Sequence, residues 1–198
     1  MAHLQIEQRL ETLGGQSIFH VVLPEAGDLH EAPVIYLLHG AGDNGTGWLR
    51  YTQAEHLART HGAILIVPEV QRSFYTDMAY GLPYFTYVSE ELPAVCRDLF
   101  PMMSPRREDT YVAGLSMGGY GALKCALTYP ERYAGCISLS ARCSVQNKLK
   151  LIENDPGQIR EWQAILGEDL TVKPENDLYA LLARIQKPAA SPRFYVAC

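Results

Sequence analysis

The sequence has no run of lysine or arginine, and its formal net charge is −5 at pH 7. Surfaces that bind nucleic acid usually carry clustered positive charge, so we expect no nucleic-acid partner. No apolar segment approaches the length of a membrane span, and the first residues, MAHLQIEQRLETLGG, lack an apolar core of signal-peptide length. The composition therefore predicts a cytoplasmic protein with no membrane partner.

The chain has only five cysteines, an odd number whose spacing fits neither a disulfide framework nor a metal site. Three of them stand in apolar patterns, where a buried, reduced thiol is the common state in the cytoplasm. We therefore expect no metal, and nothing in the sequence calls for a cofactor. The five are Cys96, Cys125, Cys136, Cys143 and Cys198.

The remaining composition is that of an ordinary globular domain, with 198 residues of which 47% are apolar. Alternating apolar and polar residues on either side of Gly14-Gly15 predict two antiparallel strands at the start. Continuous apolar runs then predict strands that are covered on both faces, as in a parallel sheet. These runs are residues 34–38, 63–68, 110–113, 133–140 and 193–198.

Segments with helical spacing separate the predicted strands. We predict helices over residues 52–61, over 88–99 with Ser89 as N-cap, and over 178–185 with Asn176 or Asp177 as N-cap. The pattern loosens over residues 141–174, which predicts an excursion or cap above the sheet. Strands that alternate with helices indicate a single α/β domain, residues 1–198, with a mostly parallel sheet.

The segment Gly114-Leu115-Ser116-Met117-Gly118 carries the strongest functional signal. It follows a predicted strand and opens a helical segment that is rich in small residues. A G-x-S-x-G sequence in that context is typical of a nucleophile elbow, in which glycines allow a sharp turn that exposes the serine hydroxyl. Ser116 is therefore the predicted nucleophile, and a plain structural turn is the alternative.

A serine nucleophile needs hydrogen-bond donors for the oxyanion that forms on the substrate. The first predicted donor is the backbone N–H of Met117, the residue after the nucleophile. The second is the N–H of Ala41, in the glycine-rich loop that follows the first buried strand. We predict that His39 and Gly40 support that loop, with His39 holding it by hydrogen bonds rather than acting as the base.

Aromatic residues near these loops suggest an acyl pocket. Trp48, Tyr75 and Phe85 are the candidates for its walls. Packing in the core explains each of them equally well, so both interpretations stay open.

Three stretches carry a resemblance to a known family: HGAGDNGTGW, RSFYTDMAYGLPYFTYVSEELP and GLSMGGYGALK. Together they resemble the α/β-hydrolase superfamily, and more closely the tributyrin esterase and esterase D group, relatives of S-formylglutathione hydrolase and of carbohydrate acetyl and feruloyl esterases. The resemblance covers most of the chain. It implies an α/β-hydrolase fold and a metal-free carboxylesterase for short-acyl (acetyl, butyryl) esters, with Ser116 as nucleophile and Ala41 and Met117 as oxyanion donors.

One feature departs from that family. In this superfamily the catalytic acid and then the histidine follow the nucleophile along the chain. All six histidines of this chain precede Ser116: His3, His20, His30, His39, His56 and His61. We therefore expect about 50–60 residues, with the acid and histidine elements, to be missing at the C-terminal end. The 198 residues by themselves are predicted to be poorly active.

Other functions remain compatible with these residues. A non-catalytic binding module would keep the fold without the triad. An acyltransferase would pass the acyl group to an alcohol other than water, and a thioesterase similar to S-formylglutathione hydrolase would cleave a thioester. The predicted partner is a small-molecule ester, and the sequence leaves open whether the protein is a homo-oligomer.

Overall fold

The computed structural model describes residues 1–24, 32–185 and 191–198. Its centre is one sheet of seven strands. The strands are β1 (Ala2–Leu10), β2 (Gly15–Leu23), β3 (Val34–Leu38), β4 (Ile64–Pro68), β5 (Thr110–Leu115), β6 (Gly135–Leu139) and β7 (Arg193–Ala197). Their spatial order is β1-β2-β4-β3-β5-β6-β7.

The sheet has an antiparallel start and a parallel remainder. β1 pairs antiparallel with β2, and β2 pairs antiparallel with β4. β4, β3, β5, β6 and β7 all run parallel to their neighbours. The α/β class, the antiparallel opening and all five predicted apolar strands are confirmed.

Eight helices accompany the sheet in the described ranges. They are α1 (Gly47–Tyr51), α2 (Ala54–His61), α3 (Tyr84–Thr86), α4 (Leu92–Leu99), α5 (Met117–Thr128), α6 (Val145–Leu151), α7 (Pro156–Leu166) and α8 (Leu178–Ala183). A π-helical turn, Tyr87–Glu91, joins α3 to α4, and short 3-10 turns occupy Arg107–Asp109 and Pro174–Asn176.

Alternate residues of the central strands face two separate cores, as the pleat of a strand requires. The larger core includes Tyr36, Ile66 and Val112, whereas their neighbours Leu37 and Ala113 belong to the smaller one. α1 and α2 contribute to the smaller core. Helix α5 lies in the larger core and is buried along all of its length except Thr128.

The predicted N-cap at Ser89 is wrong, because the helix begins earlier, at Tyr84. Ser89 lies inside the π-helical turn, and its hydroxyl donates to the Phe85 carbonyl. Pro93 has no N–H to donate to the Ser89 carbonyl four residues back. That carbonyl accepts a hydrogen bond from Arg132 Nη1 instead, at 2.8 Å. The Arg132 side chain, which is distant in sequence, thus satisfies the carbonyl that Pro93 leaves without a donor, and the helix continues through Pro93.

At α8 the sequence left two caps open, and the structure selects one. The Asp177 side chain accepts a hydrogen bond from the Tyr179 N–H at 3.0 Å. Residues 141–174 contain α6 and α7, and their role as a cap stays a prediction. None of the helices in the described part of the chain is long and apolar enough to cross a membrane.

Candidate active site

Ser116 stands between the end of β5 and the start of α5, at the carboxyl edge of the parallel strands. Its backbone has φ 56° and ψ −112°, a strained conformation for a residue with a side chain. The Ser116 N–H donates to the Leu139 carbonyl at 2.8 Å, and its carbonyl accepts from the Tyr120 N–H at 3.1 Å. Ser116 itself is exposed, so the turn presents its hydroxyl to solvent.

Two glycines make this turn possible by close contact between backbones. A Cβ on Gly114 would lie 2.2 Å from the Gly118 carbonyl oxygen, and a Cβ on Gly118 would lie 2.1 Å from the Leu38 carbonyl oxygen. Both distances are far inside van der Waals contact. Residues 114–118 (the elbow segment) therefore require glycine at these two positions.

Residues 39–45 (loop 39–45) lie directly against the elbow segment. A Cβ on Gly40 would be 3.8 Å from the Ser116 Cβ and 3.5 Å from the Leu115 carbonyl oxygen. The loop follows β3 and so leaves the same edge of the sheet as Ser116. The structure thus brings together the two segments that the sequence predicted to meet.

His39 is buried and hydrogen-bonded at both ring nitrogens. The Val70 N–H donates to Nε2 at 3.2 Å, so the proton of the neutral ring lies on Nδ1, which donates to the Gly40 carbonyl at 2.9 Å. In a trans peptide the N–H points opposite to the carbonyl of the preceding residue. The Asp43 N–H also donates to the Gly40 carbonyl, at 3.1 Å. His39 and the Asp43 N–H together hold this carbonyl and so fix the direction of the Ala41 N–H.

Glu69, just past the end of β4, holds the same loop from another side. Its carboxylate accepts the N–H groups of Gly45 at 2.9 Å and Gln71 at 2.8 Å, and it lies 3.4 Å from His39 Nε2. Partial burial acts to raise the pKa of this carboxyl, but the hydrogen bonds from the two N–H groups outweigh it and hold the pKa below its ordinary value. Glu69 is therefore ionised throughout the neutral range.

Arg72 contacts the loop from the surface. Its Nη1 donates to the Ala41 carbonyl at 3.0 Å, while Nε and Nη2 form a bidentate pair with the Glu161 carboxylate of α7 at 2.5 and 3.0 Å. Sequence reasoning missed both Glu69 and Arg72. Their position in the loop that follows the buried parallel strand β4 was the signal that could have found them, because ligand sites gather at the carboxyl ends of such strands.

The three aromatic candidates for an acyl pocket lie in three different surroundings. Trp48 packs beside the smaller core and donates from Nε1 to the Leu38 carbonyl at 2.9 Å. Tyr75 has no exposed surface to offer a substrate, and its hydroxyl donates to the His39 carbonyl at 3.0 Å. The Phe85 ring lies 4.1 Å from Lys124 Nζ. Tyr75 and Phe85 both lie beside Lys124 Nζ, whereas Trp48 packs elsewhere, and their role as an acyl pocket stays a prediction.

No histidine of the described chain is hydrogen-bonded to Ser116, whose hydroxyl has no side-chain partner there. His3 and His20 contact each other at 3.0 Å across β1 and β2, and burial lowers the pKa of His20, with a further contribution from His3. His30 lies outside the described residues. Within the described ranges, no three His, Cys, Asp or Glu side chains are grouped as metal ligands would be.

Comparison with known proteins gives consistent matches. The Esterase family model, described as "Putative esterase", matches residues 11–179. An acetyl esterase of Caldicellulosiruptor saccharolyticus is 29% identical over 86% of this chain and 66% of its own. An S-formylglutathione hydrolase of Bos taurus is 28% identical over 64% of this chain and 52% of its own.

A solved structure extends the similarity to nearly all of the chain. FphF, a fluorophosphonate-binding serine hydrolase of Staphylococcus aureus solved with substrate bound, superposes with a TM-score of 0.87 at 33% identity, covering 98% of this chain and 78% of that one. The predicted α/β-hydrolase fold is thereby confirmed. The chain spans about half to two thirds of the length of the curated relatives it matches.

Proposed function

This chain belongs to the Esterase family, and from that premise we propose that it is a serine carboxylesterase that hydrolyses short-acyl esters through an acyl-enzyme on Ser116. The observation that carries the proposal is the exposed, strained Ser116 at a strand-to-helix turn, with loop 39–45 against it. The acetyl esterase match supports a short acyl group.

The reaction has two steps of acyl transfer. Ser116 Oγ attacks the carbonyl carbon of the ester and gives up its proton to a base; the tetrahedral intermediate then collapses, and the alcohol leaves with a proton. Water attacks the acyl-enzyme in the same way, releases the acid and restores the serine. Atoms balance without a cofactor.

The N–H groups of Met117 and Ala41 are the proposed donors to the oxyanion. Met117 is the first residue of α5, so its N–H has no partner within the helix and points, with the positive end of the helix dipole, toward the elbow. Ala41 follows Gly40, whose carbonyl is held by His39. Loss of one donor of this kind lowers kcat by a factor of about 10²–10³.

No general base for Ser116 is identified among the described residues. His39 is occupied at both ring nitrogens, and no histidine of the sequence follows Ser116. We therefore propose that the 198 residues by themselves bind and orient an ester but acylate slowly. Removal of a triad member leaves about 10³–10⁴-fold catalysis over water from the remaining groups.

Labelling with a fluorophosphonate probe, together with hydrolysis of p-nitrophenyl acetate and butyrate, tests both proposals. The slow labelling and hydrolysis expected of the 198 residues should disappear in Ser116→Ala and be unchanged in Ser17→Ala, a serine on β2, which lies three strands from β5 in the sheet. Equal hydrolysis by Ser116→Ala would refute the assignment of the nucleophile. Rapid labelling of the 198-residue chain would show that it contains a base and would overturn the second proposal alone.

A thioesterase is the second candidate, because a family relative that matches this chain is an S-formylglutathione hydrolase. The same acyl-enzyme would form with a thiolate as the leaving group. A value of kcat/KM for S-formylglutathione above that for p-nitrophenyl acetate would favour it, and the reverse ratio would favour the carboxylesterase.

A further inference from the structure

Lys124 is a buried charged residue on α5, at a cavity that Asp77 and Glu175 also line. It is only 1% exposed, and it lies seven positions after Met117, two turns along α5. It forms no salt bridge with a carboxylate of the described residues, and burial lowers the pKa of its ammonium to about 8. Burying an ammonium costs free energy unless polar groups around it form hydrogen bonds with it.

The three N–H groups of the ammonium have three partners. Nζ donates to the Asn176 Oδ1 at 2.6 Å and to the Tyr75 carbonyl at 3.0 Å, and it stands 4.1 Å from the centre of the Phe85 ring. Lys124 therefore ties α5 to the segment around Tyr75 and to the 3-10 turn that carries Asn176.

Tyr75 continues this connection to the site. Its hydroxyl donates to the His39 carbonyl at 3.0 Å, and its N–H donates to Ser73 Oγ at 3.1 Å. Its ring occupies the space over Gly121, where a Cβ would lie 2.5 Å from the ring atoms. His39 in turn donates to the Gly40 carbonyl. An unbroken series of buried contacts thus runs from Lys124 to the Gly40–Ala41 peptide.

We propose that Lys124 is a positioning residue, which fixes loop 39–45 relative to the elbow through Tyr75 and His39. The inference rests on the proposed function, since it concerns the spacing of the two oxyanion donors. The Met117 N–H belongs to α5 itself, and the Ala41 N–H is connected to the same helix through Lys124. Donors of an oxyanion hole must be held within about 0.5 Å of the required position. Connecting both donors to α5 would keep the distance between them constant.

Lys124→Met tests the proposal, because methionine is an unbranched side chain only one atom shorter than lysine and has no hydrogen-bond donor. Lys150→Met, at an exposed lysine on α6, is the matched control. Amide hydrogen exchange in peptides that cover residues 39–45 is expected to rise about tenfold in Lys124→Met and to stay unchanged in the control. Unchanged exchange in Lys124→Met would overturn the proposal, whether or not the protein is active.

Kinetics separate positioning from a merely structural role. In the active native protein, Lys124→Met is expected to lower kcat about tenfold while KM changes less than about twofold, since the loss concerns the transition state. Tyr75→Phe removes the next contact in the series, so the double variant is expected to be no slower than the slower single variant. If the losses of kcat in the two single variants multiply in the double variant, Lys124 acts independently of Tyr75, contrary to the proposal.

The two proposals fail in different ways. Absence of ester hydrolysis and of probe labelling in the native protein would refute the proposed function, and the exchange measurement would still decide on Lys124. Should Lys124→Met fail to fold, Tyr75→Phe undergoes the same exchange measurement. Normal exchange of residues 39–45 in Tyr75→Phe would then refute the connection.

Discussion

The elbow segment and loop 39–45 lie side by side at the edge of the sheet, but different interactions hold them. Contact between backbones fixes the elbow, where Gly114 and Gly118 leave no space for a Cβ. Hydrogen bonds fix the loop: a backbone bond joins the Asp43 N–H to the Gly40 carbonyl, and side-chain bonds come from His39, Glu69 and Arg72. The two halves of one candidate site therefore depend on different physical forces.

This difference separates what is rigid from what is adjustable. A Cβ at Gly114 or Gly118 would meet backbone atoms at about 2 Å. Backbone atoms cannot move aside by changing rotamer, so any side chain at these positions would force the backbone to shift. A peptide held by side-chain hydrogen bonds can turn when one of those bonds is lost. We expect changes in the elbow to affect folding first and changes around the loop to affect turnover first.

The largest effect is expected for Gly118→Ala. The added Cβ would meet the Leu38 carbonyl oxygen at 2.1 Å, so β3 and α5 must separate. We expect a loss of at least about 3 kcal/mol in the free energy of unfolding, measured by urea denaturation. Gly42→Ala, in the loop, is the control, because its Cβ would meet nothing within 4 Å, and it should change stability by less than about 0.5 kcal/mol. Similar losses for both would abolish the distinction between the segments.

His39→Ala should have an intermediate effect and act mainly on turnover. It removes one of the two donors to the Gly40 carbonyl, which also accepts the Asp43 N–H at 3.1 Å, and it leaves the Val70 N–H without its acceptor. The Ala41 N–H is therefore held less firmly. We expect kcat to fall about 10–100-fold in steady-state assays, short of the loss of a whole oxyanion donor, with KM nearly unchanged. His56→Ala, at an exposed position on α2, should behave as wild type. An increase in KM alone would contradict the proposed role of the loop.

The smallest effect concerns acid stability. The hydrogen bonds of the Glu69 carboxylate lower its folded-state pKa below the ordinary 4.5, so ionised Glu69 stabilises the fold above pH 4.5, and this contribution is lost as the pH falls through the folded-state pKa. Thermal melting between pH 7 and pH 2 should therefore show a steeper acid decline in wild type than in Glu69→Gln. Glu7→Gln, at an exposed position on β1, should keep the wild-type dependence of melting temperature on pH. The same dependence in Glu69→Gln would contradict the stabilising role of the Glu69 carboxylate.

Local patterns predicted the strands well because each carries its own signal. The apolar runs, the glycines of the elbow and the Asp177 cap are local in sequence, and each formed as expected. The Ser89 cap failed because the helical turns begin five residues earlier, at Tyr84, and Ser89 lies inside the π-helical turn. Aromatic composition likewise gave no information on which side of the sheet Trp48 or Tyr75 would lie.

The sequence by itself determined the fold class, the position of Ser116 and the two segments that meet around it. These follow from periodicity and from steric rules that act over a few residues. Only the tertiary structure decided that Tyr75 is buried beneath His39, that Glu69 and Arg72 hold loop 39–45, and that Lys124 connects that loop to α5. Hydrogen bonds between distant side chains depend on how the strands are ordered in space, and no local pattern in the chain encodes that order.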